Sequence, residues 1–120
     1  MAARFHPNGL RVIDEELIDE VVRTIVESFH PRRIVMFGSQ ARGDAGPDSD
    51  LDLMIEMETD LRPLERMLTV CRLFPRRRWP LDVVVYTRAE VARDRNVVGT
   101  MLHMIESDGR TLYDESSVPA

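Results

Sequence analysis

The sequence of 120 residues contains no lysine, and all 16 of its basic residues are arginine. Without lysine, the chain cannot form a Schiff base or a covalent lysyl-nucleotide intermediate. It also cannot supply the lysine that completes a G-x-x-x-x-G-K-[ST] phosphate loop. The composition therefore excludes these three kinds of chemistry before any motif is considered.

Cysteine and histidine, the usual ligands of zinc, are also scarce. The single cysteine, Cys71, cannot form an internal disulfide, and its apolar neighbours predict a small core residue and no nucleophile. The three histidines, His6, His30 and His103, lie far apart, and none has a partner at metal-ligand spacing. A zinc site is not predicted.

Long apolar runs are missing as well. No stretch of about 18 apolar residues could span a bilayer, and residues 1–7 lack the apolar core of a signal peptide. We therefore expect no membrane association and a cytoplasmic protein. The formal net charge of −5 argues against general nucleic-acid binding, which needs a basic surface.

The apolar content of 43% suits one compact domain covering residues 1–120, with residues 1–11 and 114–120 expected to be mobile. Apolar spacing and turn signals predict a series of alternating helices and strands. A helix is predicted over 13–29, with a stop at His30-Pro31. A second helix is predicted from a cap at Thr59 or Asp60, with Pro63 in its first turn and an apolar stripe expected to pack in the core, formed by Leu61, Leu64, Met67, Leu68, Cys71 and Phe74. Further helices are predicted from a capping box at Thr87 and over 97–105, and strands over 33–37, 51–57, 81–86 and 110–113.

The segment 38–52, G-S-Q-A-R-G-D-A-G-P-D-S-D-L-D, follows directly on the apolar run 34–37. A strand that opens into a small-residue turn allows main-chain N–H groups to surround an anion at the start of the next helix. Gly38 permits close approach of the main chain, and the Ser39 hydroxyl can donate to a phosphate oxygen. The segment therefore predicts a phosphate-binding loop.

Two carboxylates follow this loop on one face of the next strand. Asp50 and Asp52 are two residues apart, and strand side chains alternate between faces. Asp82 is unusual because it stands among β-forming residues in a predicted strand. A carboxylate buried there without a partner would be costly, so a compensating group is expected near it. If the strands 81–86 and 51–57 pair, about 4.8 Å separates them, so the three aspartates can share metal ions.

Simpler interpretations exist for the charged residues. The aspartates could form a solvated acidic rim together with Asp44, Asp48 and Glu56. Arg42 could form an ion pair with the loop acids or contact a nucleotide phosphate. The segment 75–80, P-R-R-R-W-P, could be a solvated charge run, or it could contact phosphates or an acidic partner.

The G-S-Q-A-R-G motif at 38–43 and the S-D-L-D-L motif at 49–53 together resemble the minimal nucleotidyltransferases of the DNA polymerase beta superfamily. Ten residues separate Gly38-Ser39 from Asp50-Leu51-Asp52, which is the spacing of that family's G-S-x10-D-x-D signature. Asp82 stands on a later strand, where the family keeps its third carboxylate. The resemblance covers residues 34–113.

This resemblance implies an α/β (α+β) palm with a small mixed sheet flanked by helices. It implies that Asp50, Asp52 and Asp82 are catalytic and bind two Mg²⁺ ions. It implies that Gly38, Ser39 and Arg42 contact the nucleotide, with ATP as substrate.

Domains of this kind are commonly the antitoxin of a two-gene module, paired with a helical HEPN ribonuclease toxin. Some of them transfer AMP from ATP to a toxin tyrosine, and this is the function that the resemblance favours. Two alternatives stay open: an antitoxin that neutralises its partner by binding alone, and nucleotidyl transfer to a small molecule. The sequence does not identify the nucleotide base, the acceptor or the oligomeric state.

Overall fold

The computed structural model describes residues 2–117, which alternate between helices and strands along most of their length. In chain order the elements are α1 (Glu15–Phe29), β1 (Arg33–Phe37), α2 (Gly38–Arg42), β2 (Leu51–Glu56), α3 (Pro63–Cys71), β3 (Leu81–Tyr86), α4 (Arg88–Asp94), α5 (Met101–Asp108), β4 (Arg110–Asp114) and a 3-10 turn (Glu115–Ser117). The predicted strands are confirmed within a residue or two at their ends.

The four strands form one mixed sheet in the order β3-β2-β1-β4. Strand β1 is antiparallel to both β2 and β4, whereas β2 and β3 run parallel. Helices cover the sheet on both faces, which confirms the predicted α/β class. The parallel pairing of β2 with β3 is the arrangement on which the predicted carboxylate cluster depends.

Two hydrophobic cores lie on opposite faces of the sheet, because successive side chains of a strand point to opposite faces. Ile34 and Met36 of β1 enter the larger core with α1 and α3, whereas Val35 and Phe37 enter the smaller core with α4 and α5. Met54 of β2 is fully buried in the smaller core. The face of β2 that carries Asp52 is therefore covered by helices beyond that residue.

Local interactions explain where helix α1 begins and where it ends. Asp14 caps it by accepting a hydrogen bond from the Leu17 N–H. The acidic residues of its first turn interact favourably with the positive end of the helix dipole. It ends where His30 adopts a left-handed conformation with φ 49° just before Pro31. The predicted stop at these two residues is confirmed.

Helix α3 differs from its prediction in both its start and its buried face. Its N-cap is Arg62, and Pro63 occupies the first helical position, which suits a residue without an N–H. Of the predicted apolar stripe, Met67, Cys71 and Phe74 pack against the larger core, whereas leucines 61, 64 and 68 are exposed. Arg66 and Val70 are the buried residues of the helix, and the Arg66 guanidinium donates to the Val85 carbonyl of β3.

Helix α5 starts later than predicted. Gly99 has φ +96°, which ends the preceding turn, and the Thr100 hydroxyl caps the helix by accepting from the His103 N–H. Val97 and Val98 therefore lie outside the helix and are exposed. The capping box that opens α4, formed by Thr87 and Glu90, is confirmed.

The two chain ends make specific main-chain contacts. The Arg11 N–H donates to the Arg78 carbonyl at 2.7 Å, and the Glu115 N–H donates to the Arg32 carbonyl at 2.9 Å. The mobility expected for 1–11 and 114–120 stays a prediction, and residues 118–120 lie outside the described part of the chain. Among residues 2–117, no helix has the length and apolar content needed to cross a bilayer.

Candidate active site

The predicted site residues lie where three strands meet at one end of the sheet. Asp52 is the register partner of Phe37 at the end of β1 and of Asp82 at the start of β3. Asp50 immediately precedes β2. Because β2 and β3 are parallel and in register, both strands start at this end of the sheet, where β1 terminates.

Asp52 is half-buried, whereas Asp50 and Asp82 are exposed. Burial raises the pKa of Asp52 to about 6, and the negative charges of Asp82 and then Asp50 add to the rise. The positive charge of the Arg42 guanidinium lowers the pKa of Asp52 and so offsets part of the rise. The structure therefore brings Asp50 and Asp82 close enough to Asp52 for their charges to act on it.

The donor set fits Mg²⁺ by its chemistry. Three carboxylates are hard oxygen ligands, and Mg²⁺ is usually bound by one or two carboxylates together with substrate phosphates, without an all-protein cage. Among residues 2–117, no group of three or more His, Cys, Asp or Glu side chains is placed to hold a metal ion, so metal binding by all three aspartates stays a prediction. A cation bound here would offset the repulsion that raises the pKa of Asp52.

Gly38 places the main chain directly against Asp52. A Cβ atom at this position would lie 2.1 Å from Oδ2 of Asp52, and φ is +73°, a conformation that favours glycine. Gly38 is also the first residue of α2, whose N-cap Phe37 forms no side-chain cap. The first-turn N–H groups of α2, which lack intrahelical partners, therefore begin beside the carboxylates.

Ser39 and Arg42, the other predicted nucleotide contacts, lie in α2. Ser39 is the second residue of this helix, and its carbonyl accepts hydrogen bonds from the N–H groups of Gly43 and Asp44. Arg42 forms an exposed ion pair with Asp44, with Nε 3.3 Å from Oδ2. Of the two interpretations of Arg42, the structure contains the ion pair, and contact with a nucleotide stays a prediction.

The remaining acids of the predicted rim have separate roles. Asp48 accepts a hydrogen bond from the Asn8 side chain at 2.9 Å. Glu56 lies at the other end of β2, is only 5% exposed, and pairs with Arg32 and Arg33. These ion pairs of Glu56 were not predicted from the sequence; the available signal was two adjacent arginines at the start of β1, with an acid at the end of β2.

A family model described as a nucleotidyltransferase domain matches residues 18–111, more than three quarters of the chain. The chain belongs to the nucleotidyltransferase domain family. The matched range runs from α1 to β4 and contains all six predicted site residues. The membership supports an enzyme that transfers a nucleotidyl group.

Solved structures agree on the fold. A crystal structure of a candidate nucleotidyltransferase from Sulfolobus solfataricus superposes with a TM-score of 0.61 and 23% sequence identity. The match covers 88% of this chain and 84% of that one. At this identity the match establishes a common fold. A comparison with curated proteins finds no match.

Proposed function

We propose that this nucleotidyltransferase transfers AMP from ATP, with Mg²⁺, to a tyrosine of a partner protein, a helical HEPN toxin that it neutralises. Family membership supports nucleotidyl transfer in general. The main structural support is the position of Asp52 between the Asp82 carboxylate and the Gly38 main chain. Asp82 lies beside it in register on β3, and the Gly38 main chain contacts its carboxylate.

Each group has a distinct role in this proposal. Asp50, Asp52 and Asp82 bind the metal ions, and the main chain at Gly38 and Ser39 orients the phosphates at the start of α2. Mg²⁺ held by these aspartates would neutralise the triphosphate charge and favour loss of the proton of the attacking hydroxyl to solvent. The acceptor oxygen bonds to the α-phosphorus, the bond to the bridging oxygen breaks, and pyrophosphate leaves. The residues contribute mainly by positioning charged groups.

The exposure of the site favours a large acceptor. Asp50 and Asp82 both face solvent, and β3 is an edge strand of the sheet. The carboxylates therefore lie at an open corner of the molecule that the surface of another protein can reach. This supports a protein acceptor over a small molecule, which would be expected to lie in an enclosing pocket.

Co-expression of the chain with the protein encoded beside its gene tests the proposal. We expect the neighbour to gain one or more AMP units by intact-mass spectrometry, with tandem spectra placing them on tyrosine. Asp52→Asn should abolish the added mass. Asp48→Asn, an exposed loop acid outside the carboxylate cluster, is the matched control and should leave the modification unchanged.

Two outcomes would overturn the proposal. One is a neighbour that is modified equally by Asp52→Asn and by wild type. The other is an unmodified neighbour whose toxicity is still neutralised, which would establish the alternative of an antitoxin that acts by binding alone. Calorimetry of Mg²⁺-dependent ATP binding provides an independent check, because Asp50→Asn and Asp52→Asn should both weaken it.

A further inference from the structure

Residues 75–80 form a loop between α3 and β3 that ends at the candidate active site, and we call it the arginine loop. Its three arginines, Arg76, Arg77 and Arg78, are all exposed. The Pro80 carbonyl accepts a hydrogen bond from the Leu51 N–H at 2.9 Å. Leu51 is the residue between Asp50 and Asp52. Asp82 follows Pro80 by two residues, about 7 Å of extended chain. The loop and the carboxylates therefore share one end of the sheet.

Buried and main-chain contacts fix this loop in place. Trp79 is 7% exposed, and its ring packs against Phe74 with centroids 5.5 Å apart at 60°. The Arg78 carbonyl accepts from the Arg11 N–H, and the Arg77 N–H donates to the Phe74 carbonyl. Trp79 therefore anchors a short turn that holds three guanidinium groups in solvent.

The three guanidinium groups have no carboxylate partners among the described residues. Arg77 instead donates from Nη1 to the Phe74 carbonyl at 3.3 Å. A chain with 21 acidic residues offers many internal partners, yet this concentrated positive charge is left uncompensated. Such a patch suits an external anionic ligand, because arginine binds carboxylates in a bidentate manner.

A groove of mixed polar and apolar lining lies between the arginine loop and α1. Leu17, Val21, Phe74 and Trp79 contribute its apolar part, Arg76 and Arg77 border it, and its volume is about 240 Å³. Apolar side chains next to a cationic border suit a segment that carries one apolar side chain among acidic ones. Glu20 also lines the groove and would repel a continuous polyanion.

We propose that the arginine loop and this groove dock an acidic segment, with one inserted apolar side chain, of the protein that receives AMP. The inference rests on the proposed function and adds which surface at this end of the sheet binds the acceptor. A polynucleotide is disfavoured, because it needs an extended basic track and this chain has a net charge of −5. A short acidic segment requires only the local patch.

Trp79 is the only tryptophan and lines the groove, so its fluorescence reports occupancy directly. The probe is a short polyglutamate peptide with one central leucine, titrated into the full chain at low salt. We expect saturable binding that weakens as salt increases, since salt screens exposed charges. Replacing the central leucine with serine should weaken binding, because the groove would then lose its apolar ligand.

The Arg76→Glu/Arg77→Glu/Arg78→Glu variant should lose more than about tenfold in affinity for this peptide. Its matched control is Arg23→Glu/Arg62→Glu/Arg88→Glu, which changes the net charge equally at exposed arginines elsewhere and should bind nearly as wild type does. If the loop variant unfolds by circular dichroism, the milder Arg76→Gln/Arg77→Gln/Arg78→Gln variant replaces it and should lose affinity in the same direction.

Equal loss in the loop variant and its control would overturn the inference, because the effect would then be general charge. Tighter binding of single-stranded polyuridylate than of the peptide would also overturn it and assign the loop to nucleic acid. Unchanged peptide affinity in the folded loop variant would likewise overturn the inference.

Modification of the co-expressed neighbour separates this inference from the proposed function. The loop variant should bind Mg²⁺ and ATP normally by calorimetry but modify the neighbour poorly, whereas Asp52→Asn should bind the peptide normally and modify nothing. Full modification by the loop variant would refute docking while leaving AMP transfer intact. Modification by Asp52→Asn would refute the proposed role of the site, and peptide binding would still test docking alone.

Discussion

The main chain of Gly38 and the carboxylate of Asp52 are packed so closely that no side chain fits between them. A Cβ atom at position 38 would lie 2.1 Å from Oδ2 and 3.1 Å from Cγ of Asp52. The start of α2 and the start of β2 are thereby held against each other. The close main-chain approach predicted for Gly38 is therefore made to the central carboxylate of the cluster, Asp52.

We predict that Gly38→Ala destabilises the protein more than Gly43→Ala does. Both glycines have positive φ, +73° and +82°, but a Cβ at Gly43 would meet nothing within 4 Å. The left-handed conformation costs both alanine variants about 1–2 kcal/mol. Only Gly38→Ala adds overlap with Asp52, which should contribute at least about 1 kcal/mol more. Urea denaturation of the two variants measures the difference.

A double mutant provides the control for this explanation. In an Asp52→Ala background the closest oxygen is absent, so the additional penalty of Gly38→Ala should shrink. Equal unfolding free energies for Gly38→Ala and Gly43→Ala in the wild-type background would show that the close contact has no energetic consequence.

We predict that Asp52→Asn stabilises the metal-free protein at neutral pH. Burial and the charges of Asp82 and Asp50 raise the pKa of Asp52 from 3.8 to about 6. The folded state therefore binds this proton more tightly than the unfolded state, and stability decreases as pH rises from about 4 through about 6. The ionised group is destabilising above that window, and asparagine removes the charge.

The gain in the free energy of unfolding of Asp52→Asn should be only about 1 kcal/mol at pH 7.5, since solvent screens a half-exposed carboxylate. Below about pH 3 it should vanish, because Asp52 is then protonated in both the folded and the unfolded state. Thermal unfolding in the presence of a chelator measures it, with Asp48→Asn as the control. A neutral-pH loss of stability in Asp52→Asn would contradict the proposed repulsion.

The sequence predicted those parts of the fold where local signals agree with packing. Strand β1 was predicted over its full length, because every residue from Ile34 to Phe37 is apolar and the helix stop at His30 and Pro31 precedes it. Strand β3 was predicted with the same bounds, whereas its pairing with β2 was only a condition of the predicted carboxylate cluster, and the structure meets that condition. The carboxylate cluster was predictable because strand periodicity fixes which side chains share a face.

The features that were missed depend on tertiary contacts. Leucines 61, 64 and 68 have the spacing of a buried stripe, but the buried face of α3 is set by Arg66, whose partners are distant in sequence. The late start of α5 had a local signal, since Gly99 followed by Thr100 combines a helix breaker with a preferred cap. The contact of Gly38 with Asp52 has no sequence signal beyond the glycine itself.

Ser39→Ala is predicted to weaken binding of Mg²⁺ and ATP by about 1–2 kcal/mol, the value of a hydrogen bond to a charged group. The N-cap of α2 is Phe37, and Ser39 lies within the helix, so it has no capping role to lose. Stability without nucleotide should therefore be unchanged. Calorimetry with ATP measures the first effect and thermal unfolding the second. A loss of stability equal to the loss of binding energy would show that Ser39 is structural.

Glu90 links α3 to the N-terminus of α4 through one carboxylate. Its Oε1 accepts hydrogen bonds from the Thr87 N–H at 2.8 Å and from Arg66 Nη1 at 2.7 Å. Burial raises the pKa of Glu90, but these donors outweigh burial and hold the pKa below its usual range. Arg66 is 8% exposed and also donates to the Val85 carbonyl. Loss of Glu90 would leave a buried guanidinium without its only carboxylate partner among the described residues.

Glu90→Ala should therefore lower the free energy of unfolding by about 2–3 kcal/mol, combining loss of the capping box with an uncompensated buried charge. Thr87→Ala breaks the same cap but keeps the ion pair, so it should cost only about 1 kcal/mol. Glu65→Ala, an exposed acid on α3, should change stability by less than about 0.5 kcal/mol. Urea denaturation orders the three variants. If Glu90→Ala costs no more than Thr87→Ala, the pair with Arg66 contributes nothing, and α3 and α4 are held together by apolar packing alone.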